Sequence, residues 1–299
     1  MKIDLRFLQA GGRIETVICG EATVFGYCPP GTFAMGNSLS SDEIVRRWGG
    51  DKEWYDRANA RQVTLTRGFF LCVHPVTRGA FGRFIQATGY RTKAERDGSV
   101  WGRNHDGEWG WIEGLFWLNP GFPQGDDHPV VLVGNEDAHA YINWLNENCR
   151  DAVPEGFQFS LPTEAEWEYA CRAGTTTEFF WGTNEAADGG GYLNAAYAPN
   201  DPQGFPFDGG YCATSPVCSF KPNPWGFYDM LGNVWELCSD RYRAYSSDAM
   251  DPVGPAIGDY NVVRGGSWFN FPRSCRSSCR DYSDLDSCLG LRLALKMID

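Results

Sequence analysis

The sequence predicts a loop-rich α+β fold in a single domain. Three observations carry that expectation. Short β-prone runs share the chain with a few capped stretches of helical period. Gly 36 and Pro 17 among 299 residues require frequent turns. No low-complexity linker, composition break or fixed-period repeat divides the chain. With 42% hydrophobic residues, 12 Trp, 13 Tyr and 19 Phe, the chain can bury a sizeable core and lacks the composition of a disordered segment.

Taken in order, residues 1–21 read as an N-terminal strand and turn extension, with Ile3, Leu5 and Phe7, then Gly11-Gly12, then Ile14 to Ile18. The domain proper is expected over 22–299. Cys28-Pro29-Pro30-Gly31 is a turn feeding a short strand to Met35. Residues 37–61 are polar, with one helical turn around Asp42 to Trp48. Gln62 to Thr66 and Phe69 to Val73 are strand runs. Thr77 caps a helix whose face carries Phe81, Phe84 and Ile85, and Gly89 stops it. Residues 91–127 hold Trp101, Trp109, Trp111 and Trp117 among glycines, as loop and short strand. After the apolar run His128 to Val133, Asn135 is expected to cap a helix with Ala138, Tyr141, Ile142 and Leu145 on one face. Thr163 and Glu166 have capping-box spacing and start a third helix, which Ala173-Gly174 ends. No long helix is expected from 175 to 262.

Charge and cysteine usage narrow the function. A net charge of −12 argues against a nucleic-acid partner, because phosphate binding needs clustered Lys and Arg. No apolar run approaches the roughly 20 residues of a membrane span. Asp4, Arg6, Arg13 and Glu15 interrupt any export signal at the start of this chain, and Val17-Ile18-Cys19-Gly20 lacks the apolar stretch a lipid-attachment site needs. The 11 Cys are odd in number, and none stands in a CxxC pair. They read as reduced, mostly buried thiols and not as a zinc site.

The most informative stretch lies near the C-terminus. Val262-Val263-Arg264 is β-prone, and Leu291, Leu293 and Leu295 alternate with Arg292 and Ala294 as in a half-buried strand. Between the flanks Arg264-Gly265-Gly266-Ser267-Trp268 and Gly290-Leu291-Arg292, the run Phe269 to Leu289 has no period. Long irregular runs inside a domain are disproportionately functional.

Several strings then fit one family. Pro29-Pro30-Gly31-Thr32-Phe33-Ala34-Met35-Gly36, Leu161-Pro162-Thr163-Glu164-Ala165-Glu166-Trp167-Glu168-Tyr169-Ala170, Asn223-Pro224-Trp225-Gly226-Phe227-Tyr228-Asp229-Met230-Leu231-Gly232-Asn233-Val234-Trp235-Glu236 and Arg264 to Trp268 resemble the formylglycine-generating-enzyme (sulfatase-modifying factor) domain. The resemblance covers roughly residues 22–297. It implies a loop-rich C-type lectin fold of the formylglycine-generating-enzyme type. It also implies oxidation of a substrate cysteine by two copper-binding cysteines, whose positions here are Asn270 and Cys275. One thiolate is missing, and an Asn amide is a poor substitute for a soft Cu(I) ion. His74, His105, His128 and His139 do not supply the iron-binding module of the related sulfoxide-synthase branch.

A second branch fits better: variable proteins of diversity-generating retroelements, which display a hypervariable C-terminal segment on this fold. There, template adenines in AAC-type codons are copied with errors to NNC codons, which cannot encode Lys, Glu, Gln, Met or Trp. Phe269 to Leu289 contains none of these, although they make up 44 of 299 residues. Chance gives that absence roughly 3 times in 100. The expectation is therefore a non-catalytic, receptor-type binding protein with a variable segment at about 265–295. By analogy its ligand is a protein or cell-surface molecule, and it is displayed on a cell surface or phage. The alternative is an oxidase or redox relative using Cys275.

The expected ligand surface is Phe269, Asn270, Phe271, Cys279, Asp281, Tyr282, Ser283, Leu285, Ser287 and Cys288, with aromatics as rigid contacts and polar groups as adaptable ones. Trp268, Arg273, Arg276 and Arg280 are read as frame, with guanidinium groups holding loop carbonyls. No catalytic cofactor is expected. The resemblance implies structural calcium at Asp229, Gly232, Val234 and Glu236, and a second site at Asn194, Ala195 and Asp208. The plainer reading of Glu236 is a structural hydrogen-bond acceptor, and that of Cys275 a buried thiol.

Overall fold

The structure, a computed structural model, describes residues 4–5, 8–103, 109–183, 191–195, 213–245, 249–255 and 257–298. The strand expected around Ile3 to Phe7 lies largely outside these residues, as do His105 and Asp208. β1 (Arg13–Ile18) and β2 (Glu21–Cys28) form an antiparallel hairpin in register from Arg13↔Gly26 to Ile18↔Glu21. β3 (Gly31–Met35) follows the Pro29-Pro30 turn. Ser40 and Glu43 make a reciprocal capping box. The helical turn expected there is consequently an eight-residue helix, α1 (Ser41–Trp48), which buries Ile44 and Trp48. A short helix that the sequence did not announce, α2 (Lys52–Asp56), is capped by Asp51.

β4 (Arg61–Leu65) and β5 (Phe69–Cys72) fall on the expected runs. α3 (Arg78–Thr88) starts at the Thr77 cap and ends at left-handed Gly89. In the Trp-rich stretch a Thr92–Glu95 box starts α4 (Lys93–Asp97), and β6 (Ser99–Arg103) pairs with β7 (Trp109–Glu113). Asn135 is the first residue of α5 (Asn135–Asn148) and not its cap. Gly134 holds the cap position, and the Asp137 carboxylate accepts its N–H at 3.0 Å. β8 (Phe157–Ser160) precedes α6 (Glu164–Arg172), where Thr163 and Glu166 cap reciprocally at 2.7 and 3.1 Å. β9 (Trp235–Arg241), β10 (Ala249–Met250), β11 (Asn261–Arg264), β12 (Arg280–Ser283), β13 (Leu289–Leu291) and β14 (Ala294–Met297) complete the chain. Between 175 and 262 no α-helix occurs among the described residues.

The main sheet is antiparallel in the order β1-β2-β5-β14-β8. Its strands alternate between two cores. Phe70 and Leu295 join Phe81, Phe84, Tyr141 and Leu145 of α3 and α5, while Leu71 and Ala294 join Trp167 and Ala170 of α6. β1 is the outer strand, so the chain from Arg13 onward is built into the domain. A second sheet, β12-β11-β9-β13, carries the C-terminal run on its edge. Leu291 to Leu295 are all buried, so the half-buried alternation expected there is wrong. The chain leaves the second sheet after β13 and enters the main sheet at β14, and buried Arg292 stands at the crossing.

Candidate functional site

Four buried arginines hold the C-terminal run in place. Arg264 ion-pairs with Glu168, lies over the Trp167 ring, and donates to the carbonyls of Ser277 and Cys279. Arg276 meets Glu178 at 2.7 Å and Asn37 Oδ1 at 3.1 Å, and its Nε donates to the Arg273 carbonyl. Arg280 grips both oxygens of Glu164 at 2.7 Å and donates to the Arg243 carbonyl. Arg292 pairs with Glu236. A guanidinium fork suits both carboxylates and carbonyls, which is why Arg and not Lys fills these positions. Arg273 instead lies over the Phe271 ring, 4.4 Å from its centroid.

Gly265 and Gly266 shape the turn above Cys275. Their φ values are 99° and 73°, and a Cβ on Gly266 would stand 2.4 Å from Cys275 Sγ. Cys275 is completely buried, and burial pushes its thiol well above the ordinary range. Asn270 faces inward to its own loop, where its Oδ1 accepts from the Ser267 backbone N–H at 3.1 Å and the Ser267 hydroxyl at 2.6 Å. The two positions that would hold a copper dithiolate thus carry a loop-capping amide and an enclosed thiol. They do not fit the ion.

Beside them lies a cleft of about 230 Å³. Asn270, Cys279 and Asp281 line it together with Arg273, Arg276 and Arg280. Trp54, Tyr55 and Arg57, from α2 and the residue after it, line it as well. Arg57 also borders an adjoining open cavity of about 480 Å³, whose lining includes Tyr242, Tyr260 and Tyr282. Tyr282 touches both other rings, at centroid distances of 4.8 and 5.2 Å. Trp54, Tyr260 and Tyr282 are exposed. Rigid aromatic area beside polar groups suits protein recognition.

The ten expected surface residues do not all reach this surface. Asn270, Cys279, Asp281 and Tyr282 line the two cavities. Phe269 is half-buried against Trp268, and Phe271 is half-buried under Arg273. Ser283 donates to Asp286 at 2.9 Å. Leu285 packs toward Ala94, Val100 and Leu132 beneath the β6–β7 hairpin. Ser287 and Cys288 are buried, and their expected display is corrected. Ser287 sits against Gly102, and Cys288 lies in the core with its carbonyl accepting the Trp235 N–H, because the chain is already entering β13 there. Trp268, read as frame, is half-buried against Phe122 and Phe269. The residues missed, Trp54, Tyr55, Arg57, Tyr242 and Tyr260, left one sequence signal: an adjacent Trp54-Tyr55 pair inside a polar stretch.

The calcium expectation divides. Both Glu236 oxygens are engaged, by Arg292 at 2.6 and 2.9 Å and by Trp167 Nε1 at 2.7 Å. A buried guanidinium supplies the positive charge, so Glu236 fits the plainer reading of a structural acceptor. The Gly232 carbonyl accepts the Val234 N–H, and Asp229 accepts the Cys218 N–H at 2.8 Å. Burial raises the Asp229 carboxyl to about 6. The set from Asp229 to Glu236 does not fit calcium. Asn194 differs, because its buried Oδ1 has no partner among the described residues, beside a Gly232 that its own carbonyl touches.

Over residues 20–297 the chain matches the Sulfatase-modifying factor enzyme 1-like domain. It is 32% identical to the formylglycine-generating enzyme of Mus musculus over 296 residues, covering 89% of this chain and 73% of that protein. It is 32% identical to that of Streptomyces coelicolor over 290 residues, covering 88% and 85%. Among solved structures, PvdO from Pseudomonas aeruginosa superimposes with a TM-score of 0.71 and 26% identity, over 97% of this chain and 99% of that one. Treponema denticola variable protein 1 superimposes with a TM-score of 0.67 and 21% identity, over 94% and 98%, a likeness of fold. The architecture is the C-type lectin fold of the formylglycine-generating-enzyme type.

Proposed function

Because the chain belongs to the sulfatase-modifying factor domain family, we propose that it is a non-catalytic member that binds a ligand through its C-terminal surface. One observation carries this reading. Where the copper dithiolate would stand, Asn270 caps the Ser267 turn and Cys275 is sealed in the core. The ligand surface is the cleft and tyrosine cluster on either side of Arg57. The run Phe269 to Leu289 is the segment diversified by a retroelement, as its lack of Lys, Glu, Gln, Met and Trp supports. The ligand is a protein or cell-surface molecule. Structural calcium, where bound, uses Asn194 and not Glu236.

The competing reading is an oxidase acting through Cys275. The names of the relatives at 32% identity favour it, and the burial of Cys275 opposes it. The test is incubation of copper-loaded protein with a cysteine-containing sulfatase peptide. No aldehyde product is expected. Turnover abolished by Cys275→Ala would overturn the proposal. A genomic check is independent: a near-copy of codons 265–295 beside a reverse-transcriptase gene is expected, and codons 269, 271, 281 and 282 ending in C.

A further inference from the structure

Three arginines converge on one cavity without a carboxylate partner among the described residues. Arg61 opens β4, Arg241 ends β9, and Arg243 follows in the loop after it. All three line a cavity of about 170 Å³, together with Arg280, Glu164 and Asp240. That space holds a group of several atoms. The Arg241 guanidinium donates to Asn261 Oδ1 at 2.8 Å. The Arg61 guanidinium reaches the Met35 sulfur at 3.7 Å and lies over the Tyr245 ring, 4.2 Å from its centroid. Its buried Nε has no partner among the described residues. Arg243 is exposed, and its carbonyl accepts from Arg280.

The carboxylates in the cavity do not neutralise these groups. Both Glu164 oxygens go to Arg280, and the Tyr245 hydroxyl donates to one of them at 3.0 Å. Asp240 accepts the Glu164 N–H at 2.7 Å. Arg280 and Glu164 cancel, which leaves Arg61, Arg241 and Arg243 against Asp240, a surplus of two positive charges. The chain as a whole has a net charge of −12. Arg280 also lies over the Tyr245 ring, 4.1 Å from its centroid. Two guanidinium groups therefore share one ring. Arg280 has a counter-charge, and Arg61 has none among the described residues. A desolvated guanidinium N–H left unspent costs free energy that a bound oxyanion would recover.

We propose that this cavity is a binding site for a doubly charged oxyanion, a phosphate group, held by Arg61, Arg241 and Arg243. Guanidinium forks match phosphate oxygens bidentately, where a lysine offers a point charge. The surplus of two charges matches a phosphate dianion better than a carboxylate. Arg280 lines both this cavity and the cleft beside Trp54, so an anion bound here sits next to the C-terminal surface without depending on what that surface binds.

The experiment titrates the full chain with inorganic phosphate, glycerol 2-phosphate and acetate by calorimetry, at neutral pH, with chloride holding the ionic strength constant. Phosphate should bind and acetate should not. Tighter binding of glycerol 2-phosphate marks a phosphate monoester as the source, and tighter binding of inorganic phosphate marks the free ion. Arg61→Gln and Arg243→Gln should each weaken phosphate binding at least about tenfold. Arg243 is exposed, so its variant should melt with the parent even if Arg61→Gln unfolds. Asp240→Asn removes the opposing charge and should tighten binding severalfold. Arg46→Gln, at an exposed arginine of α1, should leave the affinity unchanged. No phosphate binding in the millimolar range, acetate binding as well as phosphate, or equal affinity in Arg243→Gln, Asp240→Asn and the parent would overturn the proposal.

Discussion

The guanidinium of Arg292 closes on both carboxylate oxygens of Glu236, through Nη2 at 2.6 Å and Nε at 2.9 Å, with both side chains fully buried. Arg292 also holds the carbonyls of Cys72 and Tyr228, so one residue ties β9, β5 and the Tyr228 loop to the crossing between the two sheets. Removing one partner of such a pair strands the other charge. Glu236→Gln should therefore cost about 3–5 kcal/mol. Because the partner is an arginine, the loss should be equal in calcium and in chelator. Urea unfolding in both buffers measures it. A loss confined to the calcium buffer would make Glu236 a metal ligand after all.

Asp240 is a second buried carboxyl, raised to about 6 by burial first and by the neighbouring Glu164 second. Its folded pKa lies above the unfolded value near 3.9, so the folded state holds the proton more tightly. The stability this contributes is present below about pH 4 and is lost as pH rises through about 6. Asp240→Asn still accepts the Glu164 N–H but no longer titrates. It should flatten the stability profile between those limits, by about 2 kcal/mol. Chemical unfolding at intervals from pH 4 to 7 checks this, and parallel profiles for parent and variant would refute it.

Gly266 and Cys275 should be energetically coupled. Gly266→Ala places a Cβ at φ 73° and 2.4 Å from the Cys275 sulfur. Left-handed strain and overlap together should cost about 2–4 kcal/mol. Cys275→Ala removes the sulfur and leaves the backbone contacts at 3.0 Å. The double variant should regain about 1 kcal/mol relative to additivity. Additive losses in a double-mutant cycle would show that the backbone alone forbids a side chain there.

The legible parts of this molecule were those fixed by neighbours in sequence. α3 and α6 announce themselves because Thr77, Gly89, Thr163 and Glu166 act within one turn of their own position. α2 did not, because its five residues are too few for a period and Asp51 looks like any loop aspartate. The fold itself entered through family resemblance. No pattern along the chain shows that Arg264 meets Glu168 or that Arg292 meets Glu236. The site suffered for the same reason. Half of it, Trp54 to Arg57, lies more than 200 residues before the run it faces. Ser287 and Cys288 look as displayable as Asp281 until β13 is seen to begin beside them.

The C-terminal run should divide sharply in its tolerance to substitution. Asp281 and Tyr282 are exposed on β12, which among the described residues pairs with β11 alone, while Ser287, Cys288 and Leu289 are enclosed. Asp281→Asn should stay within about 0.5 kcal/mol of the parent. Tyr282→Ala should cost about 1 kcal/mol, because it gives up its contacts with Tyr242 and Tyr260. Ser287→Leu drives new volume against the Gly102 backbone and should cost about 1–3 kcal/mol. Leu289→Ala opens a core cavity and should cost about 2–5 kcal/mol. Urea unfolding of the four variants ranks them. The same division should appear in nature if the run is diversified. Sequencing the locus in independent isolates should find changes concentrated at 270, 279, 281 and 282, which line the cleft and the tyrosine cluster, and few at 287 to 289. Equal variation across both groups, or equal stability losses, would show that burial does not govern this run and would sink the assignment of the ligand surface to the cleft beside Arg57.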